Sequence, residues 1–412
     1  MAVSLSLVAE AAAGPAQPED AREKAEKEIA WRERSLFLVH RKFSANFRKK
    51  RKTGKSPEYI SREYCFGAGI ELRPMPGRRS RDMTIRETIE EMERQTLSPY
   101  ATLNENSRGR QRPEPQCDIR PLFQRDRDRI LHCKSFRRLK NKTQVFLTPK
   151  GDHYRTRLSH TLEVSQNART IGKALRLNED LVEAIALGHD LGHTPLGHAG
   201  ERALNAVCPE GFRHNAQSVR MVSRIEPLNL SREVLDGIGC HTGPKRARTP
   251  EGRLIHYADR IAYVNHDIDD AIRAGILAER EIPRDIQKTL GATHGQRIDT
   301  LVRAVIDYGT ANQEVGMAPE AEQAMLALRR FLFERVYDGQ SAEQDARAEW
   351  MLRTLYNYYI QNFGALPAAY RRLEQDGDSR ERIVCDYLAS MTDRYAIACC
   401  KDLFLPRSWN RT

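Results

Sequence analysis

Between Leu187 and Glu201 the chain reads Leu-Gly-His-Asp-Leu-Gly-His-Thr-Pro-Leu-Gly-His-Ala-Gly-Glu, so three histidines, an aspartate and a glutamate fall within fifteen residues. Imidazole nitrogens and carboxylates are donors for a divalent metal, and the same groups move protons near neutral pH. His189 and Asp190 are adjacent, so on a helical turn they point about 100° apart and can grip one ion only with ligands from elsewhere. Nine of the 12 histidines lie between His153 and His266, far from an even spread. The candidate partners are His160, in Arg157-Leu-Ser-His160, and Asp259, in the run Ala258 to Asp267. Two imidazoles and two carboxylates with open positions suit one divalent ion such as Mn, Fe, Co or Ni, with Mg or Zn fitting less well.

The elements that must position these groups read as helices. Asn178 is an N-cap, with Glu179 and Asp180 in the first turn of a helix that buries Leu181, Val182, Ile185 and Ala186. That helix delivers His189 and Asp190 at its C-terminal end, where Gly192 and Pro195 break it. The next helix carries His198 and Glu201 at i, i+3 on one face. A carboxylate bonded to an imidazole raises its basicity and fixes its tautomer, as a general acid/base or nucleophilic pair requires. Arg157 precedes His160 by three positions, so a helical start puts its guanidinium beside the metal. A helix over 254–272 sets Asp259, Tyr263 and Asp267 on one face at i, i+4 and i+8.

Further helices are predicted over 122–139, 320–337, 348–363 and 382–404, with one opening at Met83, and no convincing alternating strands occur. The fold class is all-α. The 412 residues can bury a large core, and no uncharged apolar run approaches the ~20 residues of a membrane helix. The net charge of +11 is uneven: residues 1–82 hold 18 Lys/Arg against 11 Asp/Glu, leaving +4 for the remainder. That balance argues against a nucleic-acid stripe in residues 83–412. Residues 1–82 read as a basic extension without a packed core, either a solvated segment or an arm for nucleic acid. The eight cysteines lack CxxC or short-domain spacing and fit free thiols in a cytoplasmic protein.

His160, the His189-Asp190 doublet and Asp259 resemble the H…HD…D pattern of the HD superfamily of metal-dependent phosphohydrolases. The segments Leu97-Ser-Pro-Tyr-Ala101, Phe123-Gln-Arg-Asp-Arg-Asp128, Phe136 to Phe146, Gly192 to Glu201, Phe212-Arg-His-Asn215 and Asp386 to Tyr395 narrow the resemblance to the dGTPase-like family. It runs from about Met83 and implies a domain over 83–412, with a metal-site core at about 150–275 and a helical part over 276–412. It also implies hydrolysis of a dNTP to deoxynucleoside and inorganic triphosphate, with one divalent ion (Mn, Mg, Fe, Co or Ni) per site.

By the same resemblance, His198, Glu201 and His214 hold the catalytic positions. Arg260 and Tyr263 meet the phosphates and Gln144 and Asp267 recognise the sugar 3′-OH, while Arg157, from its place beside the metal, can contact the α-phosphate, and His193 lines the phosphate channel. Relatives of this kind form homo-oligomers, commonly hexamers, and several respond to dNTP activators. The Arg-rich segment 125–138 fits either a solvated helix face or a subunit or regulatory interface. Two rival readings remain at this stage: an HD nucleotidase or phosphodiesterase, and a non-enzymatic nucleic-acid-binding protein using residues 1–82.

Overall fold

From Met83 onward the apolar residues recur at helical spacing, and the chain closes into helices on that period. The computed structural model describes residues 83–145, 154–337 and 342–406. The expectations for residues 1–82 lie outside the described residues. Among the described residues there are sixteen α-helices and no strand, only the isolated bridges Arg110 to Ser231 and Thr143 to Thr156. The expected all-α class is the observed one.

In order the helices are α1 (Ile85–Thr96), α2 (Leu122–His132), α3 (Lys134–Arg138), α4 (Arg157–Ala174), α5 (Glu179–Gly188), α6 (Gly197–Val207), α7 (His214–Arg220) and α8 (Arg232–Cys240). They continue with α9 (Pro250–Arg273), α10 (Arg284–Leu290), α11 (His294–Asn312), α12 (Pro319–Leu332), α13 (Ala342–Gln361), α14 (Ala368–Arg371), α15 (Arg380–Ala389) and α16 (Asp393–Phe404). Caps fix several starts. Asn178 accepts from the Leu181 N–H at 3.2 Å to open α5, and Thr249 accepts from Gly252 ahead of Pro250 to open α9.

Two predicted helices are each two helices. The run 122–139 breaks at Cys133, whose extended backbone and thiol cap α3, while the Glu226 carboxylate accepts from the Lys134 and Ser135 N–H groups. The run 382–404 breaks before Thr392, which caps α16. Polar groups that satisfy helix-end amides override a continuous apolar pattern. The stretch 320–337 ends in a π-turn over Phe333–Tyr337. The arginines of α2 are mostly engaged within the chain: Arg127 reaches Asp180 at 2.6 Å, Arg129 reaches Glu114 at 2.6 Å, and buried Asp126 pairs with Arg110.

The apolar side chains form two clusters. The first is built from α2 to α5 and α8 to α12. The second joins α6 to α13, α15 and Ala396 of α16, so a helix from inside 150–275 packs with helices beyond 342. The loop between α5 and α6 therefore crosses from one core to the other. Gly192 lies on it at closest approach to α7: an added Cβ would stand 2.1 Å from the Ser218 backbone nitrogen. Its N–H donates to Ser218 Oγ at 2.9 Å, and that hydroxyl donates to the His189 carbonyl at 2.7 Å. Gly192→Ala is expected to lower the unfolding free energy by about 1–3 kcal/mol through overpacking. Thermal unfolding reads this; an unchanged midpoint would contradict the close approach.

Candidate active site

α4, α5 and α9 pack on one another, and each contributes to one centre. His160 comes from the first turn and a half of α4, His189 and Asp190 from the end of α5, and Asp259 from the middle of α9. His160 Nε2 stands 3.2 Å from Asp259 Oδ1 and 3.9 Å from Asp190 Oδ2. His189 Nε2 stands 3.8 Å from Asp190 Oδ1 and 4.0 Å from Asp259 Oδ1. The donor atoms of His160, His189 and Asp259 all lie within 4.8 Å of one another.

The donor chemistry fits a cation. His189 Nδ1 bonds the Ala186 carbonyl at 2.7 Å, which leaves Nε2 as the bare nitrogen, able to ligate. That Nε2 is buried, has no hydrogen-bond partner and faces two carboxylates. Burial would push the Asp190 carboxyl up, but Arg157, at 2.7 Å, together with His189, His193 and His160, holds it well below the usual carboxylate range. Asp259 is likewise held low, because hydrogen bonding and charge from His160, with His189 and His241, outweigh burial. Both carboxylates are therefore held anionic, as a cation site requires.

A second group of side chains belongs to the second core and to α7. Glu201 accepts from the His214 backbone N–H at 2.9 Å and lies 3.0 Å from His214 Nδ1 through both oxygens. Its carboxylate thus caps α7 and fixes the ring in one contact. His198, its i, i+3 neighbour, is the looser partner, with Nδ1 3.9 Å away and the side chain 62% exposed. His193 stacks on His214 with centroids 4.9 Å apart, and its buried Nε2 has no partner. Burial is offset at Glu201 by His198 and His214, which hold it far down, and at His214 by Glu201, which raises the imidazole. Burial pushes His193 well down.

Eleven of the thirteen residues singled out in the sequence line one cleft, and the other two, His189 and Glu201, sit directly behind it. Gln144, Arg260, Tyr263 and Asp267 are on its walls, and burial pushes the Tyr263 hydroxyl up to about 12. The same cleft is lined by His241, Arg329 and Phe333, which the sequence reading had not named. His241 bonds the Ile238 carbonyl through Nδ1 at 2.8 Å and approaches His214 Nε2 at 3.3 Å, and burial pushes it down to about 3. The clustering of nine histidines was its signal. Arg329 lies over the Phe333 ring at 4.7 Å, an i, i+4 contact on α12 and the following turn with no motif to announce it. Two buried polar groups lock the cleft to the second core. Lys142 Nζ donates to the His193 and Ala389 carbonyls at 2.5 and 2.8 Å, and Asp393 accepts from the Thr143 and Leu196 N–H groups at 2.8 and 2.9 Å.

An all-helical chain that brings His160, His189, Asp190 and Asp259 to one centre has the architecture of an HD-domain phosphohydrolase. Residues 157–264 match the HD domain family, and residues 315–402 match the phosphohydrolase-associated domain family. A deoxyguanosinetriphosphate triphosphohydrolase-like protein of Caldanaerobacter subterraneus subsp. tengcongensis is 53% identical over 332 residues, covering 79% of this chain and 98% of that protein. Proteins of the same name from Clostridium tetani and Clostridium perfringens are 46% and 49% identical, covering 79% of this chain and 97% and 99% of theirs. The chain belongs to the dGTPase-like family of HD-domain phosphohydrolases.

The titrating groups give the metal-free protein a definite pH dependence. His193 and His241 have folded values below the ordinary ~6.5, so below that pH the unfolded chain takes up protons the folded chain refuses, and stability falls. His214 is raised, so its contribution is present below about 6.5 and is lost as pH rises through its folded value. Asp190, Asp259 and Glu201 contribute stability above the ordinary carboxylate values, lost only as pH falls through their lowered ones. His256 and His294 are also lowered by burial, so with four lowered histidines against one raised, denaturant unfolding is expected to show stability declining from about pH 7 to about pH 5. A flat or rising profile over that range would contradict the assignment.

Proposed function

We propose that this protein is a metal-dependent dNTP triphosphohydrolase that converts a dNTP and water to a deoxynucleoside and inorganic triphosphate. The observation that supports this best is the placement of Arg157. Its guanidinium is bonded to Asp190 at 2.7 Å and opens onto the cleft that also receives His198 and His214. A group that can hold a phosphate next to the metal ligands thus faces groups that can move a proton. When bound by His160, His189, Asp190 and Asp259, a divalent ion (Mn, Mg, Fe, Co or Ni) supplies Lewis-acid polarisation of a phosphoryl oxygen.

The chain's own residues take the remaining tasks. Arg157 orients the α-phosphate, while Arg260, Tyr263 and His193 hold the rest of the triphosphate. Gln144 and Asp267 take the sugar 3′-OH. His198, bound only loosely to Glu201, is the proton carrier for the leaving 5′-oxygen. His214, held by Glu201, places positive charge where negative charge develops. The relatives named as deoxyguanosinetriphosphate triphosphohydrolase-like proteins support this substrate class. The same reading takes the protein to be a cytoplasmic homo-oligomer, hexameric and open to dNTP activation. No helix among the described residues is long and apolar enough to cross a membrane.

The test is product analysis with each of the four dNTPs and Mn²⁺ or Mg²⁺. Inorganic triphosphate is the expected first product, and orthophosphate or pyrophosphate would overturn the reading. Asp190→Ala is expected to abolish turnover, and removal of residues 1–82 is expected to leave it largely intact. Full turnover by the Asp190→Ala protein would contradict the metal centre.

A further inference from the structure

His266 is a buried histidine that neither the metal set nor the proton-handling group uses. It is 1% exposed, and it lies on α9 one residue before Asp267. Its Nε2 is 2.8 Å from His160 Nδ1, with the two rings edge to face and centroids 5.0 Å apart. Its Nδ1 is 2.7 Å from Oδ1 of the adjacent Asp267, a close approach without hydrogen-bond geometry, and Glu163 Oε2 is 4.0 Å from Nε2.

Tautomers follow from this geometry. His160 presents Nε2 to Asp259 and Asp190, so Nε2 is its ligating atom and must carry a lone pair. The ring proton then sits on Nδ1 and is donated to the one atom in reach, His266 Nε2. To accept it, His266 must carry its own proton on Nδ1, on the side of the Asp267 carboxylate. A ligating imidazole is ordinarily steered by a carboxylate, a carbonyl or water on its other nitrogen. In this protein a second imidazole stands in that place.

We propose that His266 is a positioning residue of the metal centre, fixing the tautomer and ring orientation of His160. The inference rests on the metal-site reading of His160 and not on which phosphate ester the enzyme cleaves.

The test uses the full-length, metal-stripped protein and Mn²⁺ alone, titrated by calorimetry and by the loss of free Mn²⁺ resonance signal. Three substitutions separate hydrogen bonding from packing. His266→Phe keeps a ring and removes the acceptor. His266→Gln carries its amide oxygen to about the position of Nε2 and can still accept from His160. His266→Asn remains polar but is too short to reach His160. Loss of an outer partner of this kind costs roughly ten- to hundredfold in metal affinity. That loss is expected for His266→Phe and His266→Asn, with His266→Gln close to the unsubstituted protein and the metal-free unfolding midpoint of the asparagine and glutamine proteins alike. Should the phenylalanine protein not fold, the asparagine and glutamine pair carries the comparison. Equal affinity in all variants would overturn the proposal, as would an equal loss in His266→Asn and His266→Gln. Because Mn²⁺ binding is read without substrate, these outcomes stand apart from the product analysis.

Discussion

The Arg157–Asp190 contact is the interaction on which the rest of the centre depends. An ionised carboxylate taken fully out of water costs several kcal/mol, and such a charge persists only where a partner and further donors offset the loss. Arg157 is that partner: it starts α4, whereas Asp190 follows the C-cap of α5, so the pair also fixes the two helices at the point where His160 and His189 meet. The arrangement leaves positive charge on one side of Asp190 and histidine on the other. A carboxylate so placed stays anionic, and a cation can occupy the remaining side.

The second dependence is mechanical. The metal-ligating helices pack in one apolar cluster, while α6, with His198 and Glu201, packs in the other. Nothing in the apolar packing alone sets the distance between the two groups. Polar contacts set it instead: Gly192 lies flat on α7, Lys142 ties the His193 carbonyl to the end of α15, and Asp393 ties Leu196 to Thr143. Burial pushes Lys142 down to about 7, yet even its neutral form has two protons for two carbonyls. The strut is therefore insensitive to the lysine's charge. Movement of the second core relative to the first would open the cleft between metal ligands and proton carriers.

Much of this was legible in the sequence because it was local. The Asn178 cap and the i, i+4, i+8 face of α9 are set by neighbouring residues and appear where the pattern puts them, while the helix expected to break at Gly192 and Pro195 already ends at Gly188. The helix interruptions at Cys133 and before Thr392 were not legible, since a capping thiol or hydroxyl within an apolar run is outweighed by the periodicity around it. The site shows the same division. The i, i+3 spacing pairs His198 with Glu201, but the fold brings His214 closer, at 3.0 Å against 3.9 Å. His241 and His266 meet their partners across 27 and 106 residues, and no spacing rule reaches that far. Residues 1–82 carry most of the excess positive charge, yet among the described residues the cleft is lined from Gln144 onward.

The central claim is that water is delivered to the α-phosphorus, where Arg157 and the metal ligands converge, and that the bond to the 5′-oxygen breaks. Hydrolysis in ¹⁸O-labelled water reads this directly. One labelled oxygen is expected in the inorganic triphosphate, with none in the deoxynucleoside. Label in the deoxynucleoside, or in orthophosphate released from the γ-position, would contradict the account.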